Sequence, residues 1–180
     1  MSTFGPSGEQ SGDYAPRTHL NVSMLSEDEQ LAVAEQDVAS LDLQHRLPIG
    51  KHRLSLQDDV LRVDYDGDLT LEYVIRLHRI VQVLLARGPQ LYVMGVVRRE
   101  GAISPEATRW VVSWNSRHPT SCVALVGAKS AITRAVGSLI VRTINLFRKE
   151  LLEMKFCRSE EEALSYFEQQ RRMRATLKHS

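Results

Sequence analysis

"LYVMGVVRREGAISPEATRWV" (residues 91–111) decides how this chain is read. Its first seven residues, 91–97, are apolar at odd and even positions alike. That pattern marks a strand buried on both faces, as in a parallel sheet. A small Gly-Ala-Ile-Ser loop follows, and Ser104-Pro105-Glu106 then opens a helical pattern over 105–117. Ser104 suits an N-cap, and Pro105 the first helical position, where no amide donor is needed. Glu106 suits the positive end of the helix dipole.

The same strand-loop-helix unit recurs on either side. "CVALVGA" (122–128) is again apolar at both parities, so a strand is expected over 121–127 and a helix over 130–147. A strand over 153–157 and a helix opened by the capping box Ser159–Glu162 close the chain. Upstream, "KHRLSLQ" and "VLRVDYDG" flank Asp58-Asp59 and read as a β-hairpin. Thr70 N-caps a helix that runs to Arg87 and stops at Gly88-Pro89. The order is ββαβαβαβα. It predicts an α/β fold, an N-terminal hairpin followed by βα repeats, with a mostly parallel sheet of about five strands. If sequence neighbours are sheet neighbours, right-handed crossovers put the helices on one face. Either the acidic helix expected at 26–45 or a second copy of the chain then covers the other face, with the helix preferred.

The 180 residues carry a net charge of only +1, but residues 1–48 hold eight acids and two bases while residues 49–180 hold 21 bases and 14 acids. An acidic front and a basic body attract each other or meet separate partners. Residues 1–22 are rich in Gly, Ser and Pro and read as a disordered tail. Residues 23–48 form an acidic amphipathic helix and linker, opened by a Ser26–Glu29 capping box, with a thin stripe of Leu31, Ala34, Val38 and Leu41. The α/β domain is expected over 49–170, with a basic end at 171–180. Two cysteines and no export signal point to a reducing, cytoplasmic setting. The helix 130–147 is the most apolar, but Arg134 and Arg142 interrupt it, so no membrane span is expected.

Several stretches could carry chemistry. Asp64-x-Asp66-Gly67 after a strand is similar to the start motif of haloacid-dehalogenase-type phosphotransferases. The later Thr/Ser and acidic pair that this chemistry needs do not follow, so strand-end acids are the favoured reading. An EF-hand is excluded, because the positions that need Gly and Glu are Leu69 and Ile75. Lys129 and Ser130 sit at a strand-to-helix junction that suits an anion, although a Ser N-cap explains them as well. The broad apolar arc of 130–147 suggests a deeply buried helix with a solvated basic edge. Trp110 and Trp114, at i and i+4, read as core packing, and His78 is expected in solvent. Cys122 and Cys157 read as small buried hydrophobes, and the Arg-rich stretch 169–178 as a frayed helix end. No metal-ligand spacing and no nucleic-acid motif is present, so no metal, cofactor or nucleic-acid partner is expected.

Taken together, "YDGDLT", "LYVMGVVRREGAISPEATRWV", "VALVGAKSAITRAVGSLIVRTINL" and "MKFCRSEEEALSYF" resemble bacterial STAS-like proteins of the SpoIIAA-like class, over about residues 49–170. This is the fold of anti-sigma-factor antagonists. The resemblance implies a non-catalytic regulatory module that meets a protein partner of kinase or anti-sigma-factor type. In the antagonists a Ser or Thr at the start of the helix after the third strand is phosphorylated. Ser104 stands at the matching place, although the usual Asp-Ser-Ser/Thr-Gly pattern is replaced here by "AISPEA", without the Asp and Gly and with Pro105 after the Ser. Arg98, Arg99, Glu106 and Arg109 would form the surrounding partner surface. A phosphate on Ser104 would crowd Glu106, and the three arginines are near enough in sequence to offset it. Related folds also bind lipids or nucleotides. A ligand site on helix 130–147 or at Lys129–Ser130 is therefore the alternative, and an Asp-based phosphotransferase the third reading.

Overall fold

In the computed structural model, which describes residues 21–44, 46–88, 90–118, 122–148 and 151–177, the hairpin is the first part of the sheet to recognise. β2 (His52–Gln57) and β3 (Val60–Asp66) pair antiparallel around Asp58-Asp59, with Asp58 at φ 53°. A short β1 (Leu47–Ile49) extends the hairpin at its outer edge, so the sheet has six strands rather than about five. Pro48 concealed this strand from the sequence. Proline lacks an amide donor, and an edge strand tolerates that loss.

From β3 onward the chain winds regularly. α2 (Leu71–Arg87), β4 (Tyr92–Arg99), α3 (Pro105–Arg117), β5 (Cys122–Val126), α4 (Ala131–Asn145), β6 (Glu153–Cys157) and α5 (Glu160–Leu177) follow in order. The sheet order is β1-β2-β3-β4-β5-β6, and β3 to β6 are parallel. Residues 1–20, most of the expected N-terminal tail, lie outside the described part. No helix among the described residues is long and apolar enough to cross a membrane.

Two cores sandwich the sheet. Leu61 and Val63 of β3 point to one, with Leu54, Val93, Ile80 and Trp114. Val60, Tyr92, Met94, Cys122 and Ala124 point to the other, where Ala163 and Phe167 of α5 cover them. The acidic helix α1 (Glu27–Gln44) therefore does not cover the second face, contrary to expectation. It packs beside α2 in the first core through Ala34, Val38 and Leu41.

Electrostatics explains where α1 goes. Arg76 holds Asp37 through two bonds of 2.7 and 2.6 Å, and Arg87 holds Asp42 at 2.6 Å. Arg79, only 4% exposed, bonds Gln30 at 3.0 Å and Glu27 at 2.7 Å. A buried guanidinium demands such partners. Three acids of the acidic front, Glu27, Asp37 and Asp42, are thus met within the chain, α1 against α2. Arg171, placed by the sequence in a frayed end, ties α5 to the hairpin turn through Asp59 and lies over the Tyr92 ring.

Candidate functional site

The loop that opened the reading is built for close approach. Gly101 stacks against the backbone of the β3–α2 loop, where an added Cβ would lie 2.2 Å from the Gly67 carbonyl carbon. The two loops are zipped together. Leu69 donates to Ala102 at 2.8 Å, Ala102 donates to the Asp68 carboxylate at 2.8 Å, and Ser104 donates to Leu69 at 3.1 Å. This seating positions α3. Ser104 caps it, its Oγ accepting from the Ala107 amide at 3.1 Å, with Pro105 in the first turn.

The arginines near Ser104 in sequence do not gather around it. Arg98 bonds Asp64 at 3.0 Å, Arg99 bonds Asp66 at 2.8 Å, and Arg109 bonds Glu106 at 3.2 Å. The surface expected from Arg98, Arg99, Glu106 and Arg109 is accordingly divided. Arg98 faces the second side of the sheet, while Glu106 and Arg109 are exposed on α3.

The turn at Lys129 and Ser130 does bind an anion, and the anion is the chain's own. Glu100 Oε1 accepts from the Lys129 amide at 2.9 Å and the Ser130 amide at 2.8 Å. The Ser130 amide bond leads in holding this carboxyl below its usual range, aided by the Lys129 amide. Ser130 Oγ meanwhile caps α4 through the Ile132 and Thr133 amides. The expected free anion site is filled. Glu100 escaped the sequence reading because its partners lie 29 and 30 residues away.

Asp64 and Asp66 are likewise occupied. Asp64 accepts from Arg62 and Arg98, Arg62 also grips Glu160, and Asp66 accepts from Arg99. Among the described residues no cluster of three or more His, Cys, Asp or Glu could hold a metal ion. Cys122 and Cys157 are buried, and burial pushes both thiols up.

Two expectations from periodicity are corrected. His78 is not in solvent. Its ring stacks on Trp114 at 4.4 Å, Trp114 stacks on His118 at 4.2 Å, and the Trp110 indole N–H donates to His78 Nδ1 at 3.1 Å. Enclosure pushes the His78 pKa down to about 3. The second correction concerns α4. Only Ile144 of that helix is buried, whereas Ile132 is 76% exposed and Leu139 65%. Phe147 just beyond it is 70% exposed. The apolar arc is real, but it is open. The helix rests on α3 along one flank and on β6 below, where Gly137 lets the Phe156 ring approach.

Between α3 and α4 runs a groove of about 690 Å³. Val136, Leu139, Ile140 and Phe147 form one wall, and Val112 with the small Ser113 and Ser116 forms the other. Arg109 and Arg117 also line it. α4 contributes no acid to it. Its lining is predominantly apolar. Comparison with known proteins found no matching family model, no similar curated protein and no similar solved structure.

Proposed function

We propose that the chain is a non-catalytic regulatory module of the SpoIIAA-like, STAS-like class, acting in the cytoplasm by docking a partner protein in the α3–α4 groove. One observation carries this reading. The chain covers both faces of its sheet, yet leaves a helical stripe of Ile132, Val136, Leu139 and Phe147 in solvent. Contiguous exposed apolar surface of this kind marks interaction sites. The hairpin followed by βα units supports the class.

The occupant is an amphipathic helical segment of the partner, carrying acids along its polar edge. An elongated apolar groove takes the apolar face of an amphipathic helix, and Val136, Leu139, Ile140 and Phe147 give this one such a wall along α4. α4 is about 22 Å long by helix geometry, enough for three to four turns of a partner helix. Arg109 and Arg117 supply the complementary charge. The same charge disfavours a second copy on this face, because two acid-free α4 helices would repel. Ser104, as cap of the α3 wall, is the point where a switch would act on the groove.

The test compares quantitative affinity capture by the full chain with capture by Leu139→Asp and Ser104→Asp, followed by titration of a synthetic peptide from the captured partner. The reading expects a partner whose binding segment is an acidic amphipathic helix and whose affinity falls at least about tenfold, or about 1.4 kcal/mol, in Leu139→Asp. It fails if no recovered protein depends on Leu139. It also fails if the variant abolishes binding to anionic vesicles instead, or converts a dimer to a monomer. Identical peptide affinity for Ser104→Asp, Ser104→Ala and the unaltered chain removes the switch and leaves the docking.

A further inference from the structure

The second face of the sheet is apolar only under α5. Towards the hairpin it becomes polar, because alternation places Arg53 and Ser55 of β2, and Arg62 and Asp64 of β3, on the side of Val60. These residues join Arg46, Lys51, Asp66 and Arg98 around a cleft of about 510 Å³. Five cations thus face two carboxylates, and both carboxylates are already engaged. Asp64 is held by Arg62 and Arg98, and Asp66 by Arg99.

Arg53 shows the imbalance best. It lies directly across from Asp64 in the β2–β3 register, the natural place for a cross-strand ion pair. No pair forms, since Asp64 Oδ1 is shared by the other two arginines. The side chains of Arg46, Lys51 and Arg53 make no hydrogen bond or ion pair with any described residue. Protection of a sheet edge by charge explains Arg46 and Lys51 beside β1. It does not explain Arg53, which lies on a strand paired on both sides.

We infer that this cleft binds an oligophosphate group through Arg53, Lys51 and Arg46. The floor is pre-organised, because Arg62 and Arg98 are clamped between Asp64 and Glu160 on adjacent strands and α5. The volume is that of a small-ligand site, but the lining is polar rather than apolar. It offers no aromatic ring for a base to stack on. The chemistry recognised is therefore concentrated negative charge, two or more linked phosphates, for which the arginine fork is suited. This site lies across the sheet from the α3–α4 groove and stands independently of it.

The experiment is isothermal titration of the full chain with sodium tripolyphosphate and, separately, with ATP, at low and at physiological ionic strength. Saturable one-to-one binding of tripolyphosphate is expected, weakening as salt rises. Arg53→Glu should reduce its affinity at least about tenfold, and Arg53→Gln by less. Arg172→Glu on the exposed side of α5 should leave it unchanged. Equal affinities for ATP and tripolyphosphate support recognition of the phosphates alone. ATP binding more than about tenfold tighter would show that a nucleoside is read, and would overturn the assignment. So would absence of saturation, or a loss in Arg172→Glu equal to that in Arg53→Glu. A thermal melt of each variant identifies any that has failed to fold, and Arg53→Gln keeps the test open in that case.

Discussion

Acid should destabilise this protein earlier than carboxylate titration would, and His78 is the main reason. Its ring lies against Trp114, accepts the Trp110 indole proton at Nδ1, and has its pKa lowered from 6.5 to about 3. Above pH 6.5 the ring is neutral in both folded and unfolded chains, and its contribution to stability is complete. As pH falls below 6.5 the unfolded chain takes up a proton that the folded chain refuses. Stability then drops by about 1.4 kcal/mol per pH unit until the folded pKa is reached. By pH 5 the loss from this ring is about 2 kcal/mol, a large part of an ordinary domain's 5–15 kcal/mol. His52 acts in the same direction. Burial lowers its pKa, and its Nδ1 accepts the Asp66 amide at 3.1 Å, a bond that protonation would break. The assay is urea unfolding followed by tryptophan fluorescence at pH 7, 6, 5.5 and 5, for the unaltered chain and His78→Gln. Slopes are compared rather than absolute stabilities, so any cost of the substitution at neutral pH cancels. The variant should lose stability less steeply, by about 1.4 kcal/mol per unit between pH 6 and 5. Equal slopes, or a native His78 resonance titrating near 6.5, would refute the reasoning.

Other consequences can be checked separately. Gly101→Ala forces a Cβ into the Gly67–Asp68 backbone and should destabilise by about 3 kcal/mol or more, read as a drop in the urea midpoint. Glu100→Ala empties the amide pair at Lys129 and Ser130. Sulfate should then raise the melting temperature of the variant more than that of the unaltered chain. Leu139→Asp alters an exposed side chain and should change stability by less than about 0.5 kcal/mol, so any loss of partner binding is local. Asp37→Ala strips Arg76 of its two-bond partner and should cost about 1–3 kcal/mol, with little change between low and high salt because Asp37 is buried.

Much of the architecture was legible because its signals are local. Ser104-Pro105 and Thr70 start helices where helix starts are found, and the capping box at Ser26 forms as expected. At Ser159 only half of the box forms: its Oγ accepts from the Glu162 amide, while the Glu162 carboxylate accepts from the Arg158 amide instead. The strand at 153–157 falls at its expected residues. The site was less legible. An apolar stripe reports that a side chain avoids water, not that anything covers it. α4 lies at the end of the helical layer, over β6, and no further helix packs on its outer flank among the described residues. His78 looked exposed beside Arg79 because its cover, the two tryptophans of α3, comes from another helix.

Composition, capping and the two-sided apolar strands by themselves determined every strand but the short edge strand β1, the main helices, their order and the parallel pairing, since these depend on residues within a few positions of each other. Tertiary structure alone decided which helix closes the second face, which carboxylate fills the α4 amides, and which charges are left over. Glu100 at α4, Glu160 on Arg62, and Arg53 facing an already engaged Asp64 are pairings between segments far apart in sequence. They exist only once the sheet has brought those segments together, and side-chain charges compete for partners across space rather than along the chain.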